Sequence, residues 1–248
     1  MKISLLRHCA WCLFAGGLVA KVNAQEPANA ATSETVVLLH GLYGAPLMMK
    51  RLEWTFRRQG YHVVNLAYPT WRVPLETAVE SHLHSSLTSL TSAGTGQVHF
   101  VTHSMGGIAL RMYLARHNLP NLGRVVMLAP PNQGSKLAHL FKGSAFARWV
   151  LGPNLARLGT APEDLPQRAG PMACEFGIIA GDGSLLSKWF DPAHPGDGRV
   201  SVESTKLAGM ADHLVLPVRH RFMMCQREVC AQASAFIAQG RFNHPPAQ

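Results

Sequence analysis

The sequence lacks an apolar run long enough to cross a membrane comfortably. The stretch Cys9–Ala20 is shorter than the about 20 residues that a membrane-spanning helix needs. It follows a positively charged start and precedes the small residues of Val22–Ala24. This order is typical of a secretory signal peptide, with a buried helix or an uncleaved anchor as the alternatives. We therefore expect residues 1–24 to be removed on export to the periplasm or the medium, leaving 25–34 as a flexible leader.

Acidic residues are scarce, and the basic ones form no block. Lys and Arg number 23 against 14 Asp and Glu, which gives a formal charge of +9. Removing residues 1–24 takes away Lys2, Arg7 and Lys21 and no acid, so the charge falls to +6. Scattered basic residues argue against a nucleic-acid partner, whereas weak contact with an anionic membrane surface stays open. The sequence makes no prediction of the oligomeric state.

Cysteine is also rare, since only Cys174, Cys225 and Cys230 remain after residue 24. They form no Cys-x-x-Cys pair, and no histidines with adjacent acids stand at metal-binding spacing, so we expect no zinc site. An oxidising compartment permits a disulfide, and the odd count leaves at least one thiol unpaired within the chain. Which pair forms, if any, stays open.

Apolar segments that predict strands alternate regularly with helical patterns, and the sequence has no repeat of fixed period. The predicted strands are Thr35–Gly41, Tyr61–Pro69, Gln97–His103, Arg124–Pro130, Glu175–Gly181 and His213–Val218. The predicted helices are Pro46–Gly60, Pro74–Gly94, Met105–His117 and Arg227–Gly240. Strands that are apolar throughout and alternate with helices are typical of a parallel sheet covered on both faces. We predict one α/β domain over residues 35–248, with about six mostly parallel strands.

Residues 132–172 break this alternation with apolar residues punctuated by Gly and Pro, which predicts a small helical cap. Within it Phe146, Trp149 and Val150 stand at i, i+3 and i+4, on one helical stripe. We expect this stripe to bind substrate. The alternative is that it only packs the cap against the body.

Polar residues follow the ends of several predicted strands. Ligands of parallel sheets bind at the carboxyl ends of the strands, so these side chains are expected to converge. They are His40 after the first strand, His103 and Ser104 after the third, Asp182 and more distantly Asp197 after the fifth, and His220 after the sixth.

Four segments then resemble the α/β-hydrolase superfamily, and bacterial serine lipases and esterases in particular. "THSMGG" after an apolar strand resembles the nucleophile elbow, and "VVLLHG" resembles the strand that leads to the oxyanion loop. "PPNQGS" resembles a lipase Pro-x-x-Gly-Ser segment, and "GDGRVSVESTKL" resembles the loop that carries the acid. The resemblance covers about Thr35–Gly240, and the four motifs stand in the family's order.

The resemblance implies a role for each matching position. Ser104 is expected to be the nucleophile, His220 the base and Asp197 the acid that orients it. The backbone N–H groups of Leu42 and Met105 are expected to form the oxyanion hole. These roles imply an α/β-hydrolase fold and an acyl-enzyme mechanism.

Other residues compete for two of these roles. Asp182 directly follows the fifth strand and is the alternative acid, while His213 is the alternative base at the amino end of the sixth strand. His40 and His103 are expected to support the loops around the site. Thr102 departs from the Gly-x-Ser-x-Gly pattern, because it stands where the first glycine is usual.

The sequence thus predicts a secreted serine hydrolase that cleaves small-molecule or lipid esters and is expected to use no metal and no cofactor. Acyltransferase, thioesterase and amidase activities use the same three side chains and stay open. A protein that binds lipophilic molecules on this scaffold without catalysis is the alternative from another class.

Overall fold

A computed structural model describes residues 34–91, 96–139, 141–142, 144–185 and 194–244, so the predicted signal peptide lies outside the described residues. The described chain forms one six-stranded sheet in which all neighbouring strands are parallel. The strands are β1 (Thr35–Leu39), β2 (His62–Leu66), β3 (Val98–His103), β4 (Leu122–Leu128), β5 (Phe176–Gly181) and β6 (Asp212–Leu216). The order β2-β1-β3-β4-β5-β6 confirms the predicted parallel sheet.

Helices connect the strands. They are α1 (Lys50–Arg57), α2 (Leu75–Ala78), α3 (His84–Thr91), α4 (Met105–Leu114), α5 (Lys136–His139), α6 (Ala145–Leu151), α7 (Leu165–Arg168), α8 (Val202–Thr205) and α9 (Arg227–Gln239). A π-helical segment, Val79–Leu83, joins α2 to α3 within the single helix that the sequence predicts. Helix α9 ends where Gly240 adopts a φ of 75°, a left-handed conformation that closes helices. In the part of the chain that the structure describes, no helix is long and apolar enough to span a membrane.

Both faces of the sheet are buried, which explains why its strands are apolar throughout. In β1, Val37 and Leu39 belong to the core beneath α4, while Val36 and Leu38 belong to the core beneath α1 and α9. This alternation follows from the two-residue period of a strand. Each such side chain contributes about 1.5–3 kcal/mol when it is fully buried.

The segment predicted as a cap connects β4 to β5 through α5, α6, α7 and a 3₁₀ turn, Leu155–Arg157. Asn154 is fully buried beside this turn and donates to the carbonyl oxygens of Thr70 and Val73 at 3.0 and 2.8 Å. Leu158 packs into the core beneath α4. These contacts fix the second half of the segment against the body of the domain.

The strand order positions a site at one edge of the sheet. Because β1 lies between β2 and β3, the chain winds to opposite sides from this point. Parallel sheets bind ligands at the carboxyl ends of their strands, where the winding reverses. The segments that follow β1 and β3 contain Leu42, Ser104 and Met105, three of the residues predicted for the site.

Candidate active site

Ser104 lies on the tight turn between β3 and α4. Its φ and ψ of 53° and −123° belong to a region that non-glycine residues avoid and that occurs at functional sites. Its N–H donates to the carbonyl oxygen of Leu128 at 2.8 Å, which anchors the turn to β4. A Cβ atom on Gly106 would lie only 2.6 Å from the carbonyl oxygen of Leu39. Glycine at this position therefore lets α4 pass close to the end of β1.

Thr102, the departure from the usual motif, fits because of Gly107. The Thr102 side chain is fully buried, and its Oγ1 has no hydrogen-bond partner in the described chain. A Cβ atom on Gly107 would lie 3.2 Å from that oxygen. The missing side chain of Gly107 thus leaves the room that Thr102 fills.

Three of the predicted site residues form one hydrogen-bonded row. Nε2 of His220 lies 3.0 Å from Oγ of Ser104, and Nδ1 of His220 lies 2.6 Å from Oδ2 of Asp197. All three residues are buried. A carboxylate accepts only, so Nδ1 carries the proton and Nε2 presents its lone pair to the Ser104 hydroxyl. A neutral His220 in this tautomer can accept the hydroxyl proton.

Asp197 is held by the backbone around it. Its Oδ1 accepts from the N–H groups of Arg199 and Val200, each at 2.9 Å, which leaves Oδ2 for His220. The N–H of His220 also donates to the Asp197 carbonyl oxygen at 3.1 Å. Among the described residues, no hydrogen bond joins the alternative acid, Asp182, to His220, and the Asp182 N–H donates to Leu216.

His103 forms a hydrogen bond with the backbone of His220, a contact that the sequence does not predict. Nε2 of His103 donates to the His220 carbonyl oxygen at 3.1 Å, and the two rings lie 4.9 Å apart. Burial, aided by the nearby charge of Arg199, holds the pKa of His103 well below its usual value. His103 is therefore a neutral donor that fixes the backbone of His220.

The loop after β1 is held close to the Ser104 turn. His40 stacks on Tyr68 with ring centroids 4.6 Å apart, and the Tyr68 hydroxyl donates to the His40 carbonyl oxygen at 2.5 Å. Burial lowers the pKa of His40, so its ring is neutral too. A Cβ atom on Gly41 would lie 3.0 Å from Cβ of Ser104.

The two residues predicted for the oxyanion hole are the chain neighbours of Gly41 and Ser104. Leu42 follows the close contact at Gly41, and Met105 is the first residue of α4. Neither N–H donates a hydrogen bond to any residue that the structure describes. Both are therefore available to a ligand oxygen beside Ser104.

A pocket of about 180 Å³ opens above Ser104. Its lining residues are Leu42, Tyr43, Met48, His103, Ser104, Pro131, Ser135, Ala138, Leu155, Leu158, Arg199, Val200, His220 and Arg221. The cap thus contributes to the pocket through Ser135, Ala138, Leu155 and Leu158. Most of the wall is apolar, as expected of a site for an acyl group.

The apolar stripe of α6, predicted to bind substrate, lies outside this pocket. Phe146, Trp149 and Val150 are absent from the pocket lining, with exposed fractions of 73%, 70% and 38%. They lie on one side of α6 as predicted, but that side faces outward. The helix is tied to its neighbours through its backbone, because Trp71 donates to the Val150 carbonyl oxygen at 3.2 Å.

The remaining candidates lie away from this row. Nε2 of His213, the alternative base, lies 3.0 Å from Oγ1 of Thr205 near the amino end of β6. Cys174, Cys225 and Cys230 are all free thiols. Within the described ranges, no group of three or more His, Cys, Asp or Glu side chains could hold a metal ion.

Solved structures with the same fold include two forms of a lipase and an esterase. The lipase BlEst2 of Bacillus licheniformis, in mature form, has a TM-score of 0.56 and 19% identity over 78% of this chain and 87% of that one. Its propeptide form has a TM-score of 0.61 and 18% identity over 88% of this chain and 52% of that one. The metagenomic carboxyl esterase MGS0156 has a TM-score of 0.60 and 18% identity over 77% of this chain and 65% of that one. Identities this low show a shared fold alone.

The search of curated proteins gives no match. The model of the alpha/beta hydrolase family, in contrast, matches residues 36–233, which include the Ser104 turn, Asp197 and His220. Together with the parallel sheet and the strained turn after β3, this match shows that the chain belongs to the alpha/beta hydrolase family.

Proposed function

We propose that this protein is a serine hydrolase that cleaves carboxylic esters. The observation that carries the proposal is the row from Ser104 through His220 to Asp197, with distances of 3.0 and 2.6 Å. A serine hydroxyl is a weak nucleophile unless a positioned base accepts its proton. The row supplies that base and fixes its tautomer.

In the first step, Oγ of Ser104 attacks the carbonyl carbon of the ester while its proton moves to Nε2 of His220. The carbonyl π electrons move to the oxygen and form an oxyanion. When the tetrahedral intermediate collapses, the bond to the alcohol oxygen breaks and His220 gives its proton to the leaving alcohol. The acyl group stays on Ser104 as an ester. Asp197 stabilises the imidazolium that exists between the two proton transfers.

In the second step, water takes the place of the alcohol. His220 accepts a proton from the water as the water oxygen attacks the acyl carbon. When this second tetrahedral intermediate collapses, the bond between the acyl carbon and Oγ of Ser104 breaks, and His220 returns the proton to Oγ. The products are the carboxylic acid and the free enzyme. The reaction needs only water as a second substrate.

The N–H groups of Leu42 and Met105 would stabilise the oxyanion of both steps. Two observations support this role. Neither N–H group donates a hydrogen bond within the described chain, and the loop after β1 approaches Ser104 closely at Gly41. Removal of one donor in such an arrangement typically lowers the rate about 100–1000-fold. The apolar wall with Leu155 and Leu158 favours acyl groups as ligands.

The test is hydrolysis of p-nitrophenyl esters of rising chain length by the wild-type protein and Ser104→Ala. The alanine variant should lose about 10⁴-fold or more of kcat/KM and remain folded. Ser85→Ala is the matched control, because Ser85 is exposed on α3, and it should keep full activity. Equal hydrolysis by the wild type and Ser104→Ala would contradict the proposal. A wild-type protein that binds the esters without hydrolysing them would favour the alternative, a non-catalytic protein that binds lipophilic molecules.

We also propose that the protein is exported, on the charge, apolar and small-residue order of residues 1–24. Cell fractionation followed by amino-terminal sequencing tests this. A mature chain that begins near Gln25 outside the cytoplasm is expected, and a membrane-bound chain that retains residues 1–24 would contradict it.

A further inference from the structure

The pocket above Ser104 contains two arginines and no carboxylate side chain among its lining residues. Arg199 and Arg221 are both exposed at this lining, which is otherwise mostly apolar. An apolar acyl group requires no positive charge. The two guanidinium groups therefore call for an explanation beyond ester cleavage itself.

Within the described ranges, neither guanidinium is paired with a carboxylate. Among the residues that the structure describes, neither Arg199 nor Arg221 has an ion-pair or side-chain hydrogen-bond partner. Arg157 at the cap, in contrast, forms a two-bond pair with Glu76. The nearby acid, Asp197, directs its oxygens to His220 and to backbone N–H groups. No carboxylate that the structure describes thus forms an ion pair with the positive charge beside the serine.

The backbones of both arginines are fixed to the catalytic row. The Arg199 N–H donates to Oδ1 of Asp197 at 2.9 Å, and its carbonyl oxygen accepts from Oγ of Ser135 at 2.8 Å. Arg221 directly follows His220 in the 3₁₀ turn His220–Cys225. The Cα positions of both arginines are therefore fixed relative to Asp197 and His220.

The charge of Arg199 is felt inside the pocket. It lowers the pKa of His103, in the same direction as burial, and it partly opposes the burial that raises the pKa of Tyr43. Both residues line the pocket beside Ser104. The same field would attract a negative group on a ligand and raise its local concentration.

We propose that Arg199 and Arg221 bind an anionic group, a carboxylate or a phosphate, that is covalently part of the ester substrate. This deepens the proposed function and rests on it. The apolar part of the substrate lies against Leu155 and Leu158, while the anionic group faces the two guanidiniums. Guanidinium groups match the geometry of carboxylates and phosphates with paired N–H donors. The substrate class is therefore an amphiphilic ester with one negative end.

Two matched pairs of esters test the proposal and separate the acyl side from the alcohol side. p-Nitrophenyl pentanoate and the p-nitrophenyl monoester of glutaric acid differ by a carboxylate on the acyl group. p-Tolyl butyrate and p-(phosphonomethyl)phenyl butyrate differ by a phosphonate on the alcohol. The wild type should prefer the anionic member of at least one pair by about tenfold in kcat/KM.

The double variant Arg199→Gln/Arg221→Gln should reduce that preference to about one, and lysine at both positions should retain part of it. Salt should also weaken it, because the Debye length falls from about 30 Å at about 0.01 M to about 3 Å at about 1 M. Arg241→Gln is the charge-matched control. A Cβ atom on Gly240 would meet Glu175, which directly precedes β5, so Arg241 lies near the amino ends of the strands and not at their carboxyl ends with Ser104. This control should keep the wild-type preference.

Hydrolysis of the neutral esters without preference for either anionic one, or a preference that survives in the double variant, would overturn the arginine proposal alone. Loss of all four hydrolyses would instead count against the proposed function. Calorimetry with benzylphosphonate then decides the role of the arginines without catalysis. Binding that the double variant loses supports that role, whereas equal binding or none by the wild type refutes it.

Discussion

Replacing Asp197 with asparagine should abolish most of the activity because of how the backbone holds this side chain. Oδ1 accepts two N–H groups, from Arg199 and Val200 at 2.9 Å. In the variant only the amide oxygen can accept these hydrogen bonds, so the amide NH₂ group must face His220. The NH₂ group donates to Nδ1 of His220, which moves the ring proton to Nε2. The ring then has no lone pair for the hydroxyl proton of Ser104.

The expected loss is about 10⁴-fold in kcat, which corresponds to about 5.5 kcal/mol of transition-state stabilisation. The measurement is steady-state hydrolysis of a p-nitrophenyl ester, with circular dichroism and thermal melting to show that the variant remains folded. Asp182→Asn is the matched control and should change kcat less than about threefold, since no hydrogen bond joins Asp182 to His220 in the described chain. A severe loss for Asp182→Asn with a mild one for Asp197→Asn would refute this reasoning and exchange the two roles.

Three further predictions concern the cap, the turn and the neutral histidines. Trp149→Ala should change kcat/KM little and by the same factor for acetyl and octanoyl esters, because Trp149 is exposed outside the pocket. Leu155→Ala should lower kcat/KM more for the octanoyl ester, by up to about 0.8 kcal/mol per lost methylene contact. A larger loss for octanoyl in Trp149→Ala than in Leu155→Ala would show that the α6 stripe contacts the acyl chain. Gly106→Ala should lower the free energy of unfolding in urea by about 1–3 kcal/mol, because its Cβ atom would meet a backbone oxygen at 2.6 Å; an unchanged value would contradict the close packing of α4. Burial holds the pKa of His103 below its unfolded value of about 6.5. As pH falls, the unfolded chain therefore binds the proton before the folded chain does. The free energy of unfolding should fall below about pH 6.5, by up to about 1.4 kcal/mol per pH unit. His103→Gln should flatten that slope in urea titrations while the exposed control His82→Gln should not, and equal slopes would refute a neutral buried His103.

The fold could be predicted because its strands carry an unusually clear signal. Residues such as Val36 and Val37 face opposite sides of the sheet and are both fully buried, so the strand is apolar at every position. The Ser104 turn could also be predicted, since a strand that passes directly into a helix needs glycine where the two backbones meet. The polar residues at the strand ends followed from the parallel arrangement, and the structure brings Ser104, Asp197 and His220 together.

The direction of a short surface helix could not be predicted in the same way. Helix α6 has seven residues, and its stripe with Phe146 and Trp149 has the spacing of a buried face although both are exposed. Which side of such a helix faces the body depends on its neighbours, such as the hydrogen bond from Trp71. Periodicity alone carries no information about those contacts.

Supporting contacts between distant residues were also beyond the sequence. His103 and His220 are 117 residues apart, and their hydrogen bond depends on how β3 and the turn after β6 approach one another. The positions next to the expected site residues were the available signal. His103 precedes Ser104, Arg221 follows His220, and Arg199 lies two residues after Asp197.

The central claim is that His220 and Asp197 activate Ser104 as a nucleophile, and covalent labelling tests it most directly. The purified wild-type protein is treated with a fluorophosphonate probe and analysed by intact mass and peptide mapping. We predict one adduct per chain, on Oγ of Ser104, with no adduct in Ser104→Ala and slow labelling in Asp197→Asn. Full labelling of Ser104→Ala, or a folded wild type that takes up no probe, would contradict the account.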